Sequence, residues 1–180
     1  AYTNNTNAGT ATVTVTGKGN YKDATAVSKT FTIAKRNITV TASSKEKVYD
    51  GTALTNNAAT LTSGTLVTGH TLTATATGSI TNVGSVANTV NSVVIKSGTT
   101  DVTANYNITK ANGTLKITAK NASTFTVSLN PTSYTYDGAA KTPTVTVKDG
   151  TVTLTKDTHY TVVYSNNTNA GTGKVTVTGK

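Results

Sequence analysis

The stretch Tyr2–Lys18 reads YTNNTNAGTATVTVTGK, and it returns at Tyr164–Lys180 as YSNNTNAGTGKVTVTGK. The two copies lie 162 residues apart and differ at three positions. Near-identity at a long fixed spacing is the signature of a tandem repeat. Each copy ends on valines that alternate with threonines, a period-two pattern that predicts a half-buried antiparallel strand. The chain is therefore expected to be part of a repetitive β protein.

A second, more diverged repeat lies inside this period. Both of its copies present the same landmarks in the same order: a strand, a Tyr-Asp-Gly turn, an Asn-x-Gly turn, an Asn-Tyr pair and a closing strand. The turn residues are Tyr49, Asp50, Gly51, Tyr136, Asp137 and Gly138 for the first kind, and Asn7, Gly9, Asn82 and Gly84 for the second. The Asn-Tyr pairs are Asn20-Tyr21 and Asn105-Tyr106, and the closing strands are Phe31–Ile33 and Leu115–Ile117.

This order predicts three parts. Residues 36–120 form one complete module, residues 1–35 are the C-terminal part of a split module, and residues 121–180 are the N-terminal part of the next one. Short linkers at 33–36 and 117–120 leave little slack between the parts. Short, ordered connections favour an elongated arrangement.

The fold class predicted is all-β, built from small antiparallel, sandwich-like modules. Threonine and valine are abundant, and β-branched residues fit pleated strands better than helices. The segment from Val145 to Leu154 predicts a hairpin whose two-residue turn is Asp149-Gly150. Asn112-Gly113 is a further turn candidate.

Taken together, the turns and the Asn-Tyr pair before a closing strand resemble those of the YDG and MBG repeat domains. These are immunoglobulin-like β modules of long bacterial surface proteins and adhesins. The resemblance covers the whole chain and implies an extracellular place on the bacterial cell surface, with a structural or adhesive role. It implies no catalytic residue and no cofactor.

Composition argues against several other classes of protein. The net charge is +9, but a single arginine, Arg36, and scattered lysines supply it, whereas nucleic-acid readers use grouped basic residues and forked arginine contacts. The absence of cysteine excludes disulfides and is common among Gram-positive cell-wall proteins. A nucleic-acid partner is therefore not expected. Membrane insertion is not expected either, since no apolar run is long enough to span a bilayer.

The candidate sites are few. The Tyr-Asp-Gly and Asn-x-Gly residues are interpreted as structural turns, in which aspartate caps backbone amides and glycine takes a positive φ. No metal site is predicted, although Asp50 or Asp101 could contribute to calcium between modules. No catalytic arrangement surrounds His70 or His159. The tyrosines proposed as ligand contacts are Tyr134, Tyr160 and Tyr164.

Three functions stay open from the sequence. The first is a non-enzymatic stalk in which each module contacts neighbouring repeats of the same chain. The second is a weak, multivalent binding module for host glycans, mucin or matrix protein. The third is an accessory module of a large extracellular glycosidase. Because residues 121–180 carry the opening strands that residues 1–35 lack, head-to-tail self-association of the split repeat is also expected.

Overall fold

The computed structural model describes all 180 residues and forms two compact units, Ala1–Ala119 and Lys120–Lys180. Its only helices are three single 3-10 turns, at Gly19–Tyr21, Thr103–Asn105 and Ala122–Thr124. Everything else that is regular is strand, so the all-β prediction is confirmed.

The first unit contains thirteen strands. They are β1 (Tyr2–Thr3), β2 (Gly9–Val15), β3 (Val27–Ile33), β4 (Arg36–Ala42), β5 (Lys45–Val48), β6 (Leu54–Thr55), β7 (Ala59–Ser63), β8 (His70–Thr77), β9 (Ser79–Ile80), β10 (Gly84–Ser97), β11 (Thr100–Asp101), β12 (Tyr106–Ala111) and β13 (Gly113–Thr118). The second unit contains β14 (Thr126–Asn130), β15 (Thr144–Asp149), β16 (Val152–Thr153), β17 (Tyr160–Ser165) and β18 (Lys174–Gly179).

Strands β4 to β13 form a sandwich-like module with two main sheets. One sheet has the order β12-β4-β7, and the other has the order β11-β10-β13-β5 with β8 also paired to β10. The prediction of purely antiparallel modules is wrong here, because β12 pairs with β4 and β13 pairs with β5 in parallel. Parallel partners must come from distant parts of the chain, and the alternation of valine and threonine carries no information about direction.

Two apolar clusters fill the module. The larger lies between the two main sheets, where side chains from β4 meet those from β8, β10 and β12; its buried members are Ile38, Val40, Ala42, Ala76, Val90, Ile95 and Tyr106. The smaller consists of Leu54, Leu115 and Ile117, with Ile80 packed against it. In β13, Gly113, Leu115 and Ile117 are buried while the residues between them are exposed. This strand therefore turns one face into the core and the other to solvent.

The chain changes sheets at one crowded point. Strands β4 and β12 run side by side in the first sheet, and their continuations β5 and β13 run side by side in the second. Gly113 opens β13 at this crossing, and a Cβ atom there would lie 2.7 Å from the carbonyl oxygen of Ser43 and closer still to that of Ala42. The prediction of a turn at Asn112-Gly113 is wrong, since Gly113 is the first residue of β13. Glycine is needed at this position because no side chain fits between the crossing backbones.

Asn88 supports the same crossing from the other side. It is fully buried on β10, and its Nδ2 donates to the carbonyl oxygens of Ser43 (2.8 Å) and Asn56 (2.9 Å). Residues 84–88 of β10 pair with β13, and residues 89–97 pair with β8. Asn88 thus sits where β10 passes from one partner to the next, and it satisfies two backbone acceptors that the crossing leaves without a strand partner.

The remaining strands of the first unit, β1, β2 and β3, form a separate antiparallel sheet. Gly9 lies opposite Ile33 and Ala11 lies opposite Phe31. The register is the same between β10 and β13, where Gly84 lies opposite Ile117 and Val86 lies opposite Leu115. The β2–β3 hairpin is therefore a second copy of the β10–β13 pairing.

The second unit has two small sheets, β14-β15-β16 and β17-β18. The predicted hairpin exists, but Asp149 pairs with Val152, so the turn is Gly150-Thr151 rather than Asp149-Gly150. Gly150 has φ +58°, and a positive φ at the first loop position suits a primed hairpin turn. The buried apolar residues of this unit are Val147 and Tyr160, a smaller core than that of the complete module.

Candidate functional site

The first Tyr-Asp-Gly turn is closed by its aspartate. Oδ1 of Asp50 accepts hydrogen bonds from the backbone N–H of Thr52 (2.9 Å), the hydroxyl of Thr52 (2.7 Å) and the ammonium of Lys47 (2.6 Å). The bond from Lys47, followed by those from Thr52, holds the pKa of the Asp50 carboxyl well below its usual value. Gly51 has φ +80°. The carboxylate is engaged by its own turn, and Tyr49 beside it is 39% exposed.

The second Tyr-Asp-Gly turn repeats this arrangement with a different lysine. Asp137 accepts from the N–H of Ala139 (2.9 Å) and pairs with Lys141, which lowers the pKa of its carboxyl, and Gly138 has φ +78°. Tyr136 is 62% exposed, more than Tyr49 in the first turn.

The Asn-x-Gly turns also share one backbone conformation. Gly9 and Gly84 both have φ +143°, and Gly171, which repeats Gly9 in the second copy of the long repeat, has φ +138°. Because L residues rarely adopt this φ, glycine is favoured at all three positions, two of which, Gly9 and Gly84, begin a strand. The repeat detected in the sequence therefore corresponds to a repeat in local structure.

One of these turns contacts the complete module. The side-chain oxygen of Asn105 accepts from the backbone N–H of Ala8 (2.8 Å), and its Nδ2 donates to Oδ1 of Asn7 (2.9 Å). We call this pair of hydrogen bonds the Asn105 joint. Sequence reasoning recognised Asn105 and Asn7 as landmarks but gave them no common role, because residues almost a hundred positions apart carry no local signal of contact.

A groove of about 350 Å³ opens in the second unit. Tyr134, Tyr136 and Tyr164 are among its lining residues. Tyr134 is 45% exposed, with the ammonium of Lys141 lying 5.9 Å from its ring centroid. The hydroxyl of Tyr164 donates to the carbonyl oxygen of Pro143 (2.8 Å). Two of the three tyrosines proposed as ligand contacts therefore line one concave surface.

The third, Tyr160, does not belong there. It is 3% exposed, and its hydroxyl donates to the carbonyl oxygen of Val145 (3.2 Å). The prediction of Tyr160 as an exposed contact is wrong because its strand turns that ring into the small core of the second unit. A tyrosine in a strand can face either way, and the short run around Tyr160 has apolar residues at both parities.

Both histidines make hydrogen bonds within the fold. Nδ1 of His70 is 2.7 Å from the hydroxyl of Tyr106, which also accepts from the N–H of Val67 (3.0 Å). Nδ1 of His159 accepts from the N–H of Thr155 (2.9 Å). No group of three or more His, Cys, Asp or Glu side chains is placed to hold a metal ion. Both imidazoles thus fix local backbone or core structure, and neither faces a nucleophile or carboxylate.

No helix has the length and apolar character needed to cross a bilayer. No protein-family model, curated protein or solved structure matches the chain.

Proposed function

We propose that the chain is a segment of a tandem array of immunoglobulin-like β modules that serves as a structural spacer on the outside of a bacterial cell. The array holds another part of the protein at a distance from the surface. Its modules act through their contacts with one another and perform no chemistry. An extracellular location agrees with the cysteine-free composition and with the resemblance to surface repeat domains.

The Asn105 joint is the observation that carries this proposal. It ties the turn at residues 7–9 to Asn105 within the first compact unit, through one hydrogen bond that the Asn105 side chain accepts and one that it donates. The turn recurs as Asn169-Ala170-Gly171, 162 residues after Asn7-Ala8-Gly9. In an array of this period the joint would form once in each period, and contacts between neighbours of this kind add stiffness along an array.

The surface chemistry supports a spacer over a binding module. Of the three proposed tyrosines, Tyr160 is buried and Tyr164 has its hydroxyl bonded to the protein's own backbone. The basic residues are dispersed along the chain, and dispersed lysines keep strand edges from pairing with other molecules. Dispersed charge also gives an anionic ligand no concentrated field to recognise.

Replacing Asn105 with alanine is expected to loosen the joint without unfolding either side. The N–H of Ala8 loses its acceptor, so its hydrogen-exchange rate should rise roughly five- to twelvefold, since a hydrogen bond of about 1–1.5 kcal/mol is lost. The amides of residues 1–35 should also show faster local motion in nitrogen-15 relaxation. Measurement by NMR on the intact chain reads both effects.

Asn107→Ala is the matched control. Asn107 lies two residues further along and donates from Nδ2 to Oδ1 of Asn37 (2.9 Å), an exposed pair that lies wholly within the module. It should leave the Ala8 amide protected. If the Ala8 amide exchanged at the same rate in the Asn105→Ala variant and in the unaltered chain, the Asn105 joint would be contradicted. The main support for a stiff spacer would then be lost.

A further inference from the structure

The first and last strands of the complete module belong to two parallel ladders. Strand β4 opens the module at Arg36, and β13 closes it at Thr118. Strand β12 pairs with β4 over six residue pairs, and β13 pairs with β5 over four, both in parallel. The single residue Asn112 joins β12 to β13, and so short a connection cannot reverse the chain. The two ends of the module therefore lie at opposite ends of the paired strands.

Tension applied along the chain loads these ladders lengthwise. It pulls β4 back toward residue 35 and β13 forward toward residue 119, so parallel partners are drawn in opposite directions along their own axes. The hydrogen bonds of a parallel ladder are evenly spaced, so they share such a load. A hairpin whose two ends are pulled apart opens one pair at a time instead. Because forced unfolding is governed by the height of the barrier, bonds that must fail together resist force best.

Neither of the two strands that receive the load first lies at the edge of a sheet. Strand β4 lies between β12 and β7, and β13 lies between β10 and β5. A strand with partners on both sides cannot be peeled from an edge. Each strand is also anchored by buried side chains, since Val40 of β4 and Leu115 of β13 are both 0% exposed. Drawing either strand out of the module therefore also exposes apolar surface to water.

The point where the chain passes from β4 to β5 is held from three directions. The N–H of Ser43 donates to the carbonyl oxygen of Ala58 (2.9 Å), and the carbonyl oxygen of Ser43 accepts from Nδ2 of Asn88 (2.8 Å). Oγ of Ser44 accepts from the N–H of Thr114 (3.0 Å), a bond that joins the entering strands to β13. For β4 and β5 to slide past β12 and β13, these bonds must break together with the ladders.

We propose that the complete module is a mechanical clamp, which resists tension along the chain because the β4–β12 and β13–β5 ladders are loaded in shear. The use of this clamp, to carry tension between a cell surface and another part of the protein, rests on the proposed spacer function. The clamp itself is a property of residues 36–118. A flexible or compact array would refute the spacer and leave the clamp in place, whereas a module that yields easily to force would refute the clamp alone.

Single-molecule force spectroscopy on the intact chain tests the clamp. The chain has no cysteine, so a pair of introduced cysteines defines the two points at which handles pull. Lys35→Cys combined with Ala119→Cys loads the module from its two ends, and both positions are exposed. Unfolding should occur in one step. It should release 84 residues and lengthen the chain by roughly 29 nm less the folded distance between the two handles.

The control changes the direction of pulling on the same ladder. Lys35→Cys combined with Ala104→Cys places the handles just before β4 and β12, at the same end of their parallel ladder. The handles then pull the two strands apart sideways, and the pairs open one after another from that end. At the same loading rate the unfolding force should be several times lower than with handles at residues 35 and 119. Equal forces in the two geometries, or gradual lengthening in the first, would overturn the proposal.

Two serine variants, pulled from residues 35 and 119, identify the bonds that carry the load. Ser44→Ala removes the acceptor for Thr114 within the clamp. Ser92→Ala removes a hydroxyl bond to Thr75 (2.7 Å) that joins β10 to β8 outside the clamp. At constant force Ser44→Ala should raise the unfolding rate roughly fivefold, the effect of one hydrogen bond. Ser92→Ala should leave the rate unchanged, because β8 and β10 are still paired when the clamp fails. Equal effects, or none from Ser44→Ala, would show that force is resisted elsewhere.

Discussion

Gly113→Ala is expected to destabilise the complete module strongly. A Cβ atom at this position would lie within 3 Å of the backbone of Ala42 and Ser43, and backbone atoms cannot rotate away as a side chain can. Relieving the overlap means separating the two parallel strand pairs where they cross between sheets. The expected cost is roughly 3 kcal/mol or more, a large share of the stability of a small domain.

The measurement is thermal unfolding followed by methyl NMR, because the two units report separately. Signals from Ile95 and Leu115 in the module should be lost at a much lower temperature, while those of Val147 in the second unit should melt as before. Gly179→Ala is the control, since a Cβ atom there meets nothing within 4 Å. If the module melted at the same temperature in the Gly113→Ala variant and in the unaltered chain, the crossing would tolerate a side chain. That result would contradict the close approach of the two backbones at Gly113.

Asn88→Ala should be the next most damaging single change. Removing the amide leaves the partly buried carbonyl oxygens of Ser43 and Asn56 without this donor, and each unsatisfied group costs about 1–3 kcal/mol. Part of this cost is offset, because Oδ1 of Asn88 is itself buried without a partner in the present structure. A net loss of about 2–4 kcal/mol in the free energy of unfolding of the module is expected.

Chemical denaturation of the first unit measures this loss. Asn91 lies on the same strand with its side chain exposed, so Asn91→Ala should change the free energy of unfolding by no more than about 0.5 kcal/mol. Equal effects from the two alanine variants would mean that the buried amide does not hold the crossing together.

The sequence was sufficient for the class of fold and for several strands, because these depend on local alternation. The two valine–threonine runs became β2 and β18, and Val145 to Leu154 formed a hairpin shifted by one residue at its turn. The repeat analysis also identified turns that share backbone conformation, as Gly9 and Gly84 demonstrate. A period-two pattern specifies which face of a strand is buried, and turn residues specify where the chain reverses direction.

What the sequence could not supply depends on contacts between distant residues. Parallel pairing of β12 with β4 joins segments 70 residues apart, and neither segment encodes its partner. Glycine is common in turns, but Gly113 lies where two backbones cross, and its lack of a side chain lets them approach closely. The Asn105 joint and the groove are further examples, since both become visible only when residues 1–35 and 121–180 are compared in space with the complete module.

The most direct test of the spacer proposal is the length of arrays built from one, two and three copies of the 162-residue period. Small-angle X-ray scattering in physiological salt measures the maximum dimension, at concentrations low enough to suppress association between molecules. A spacer with ordered joints predicts that each added period increases the maximum dimension by the same amount. Growth with only the square root of the number of periods, as for a flexibly linked chain, or a dimension that stays nearly constant, as for a compact assembly, would contradict it.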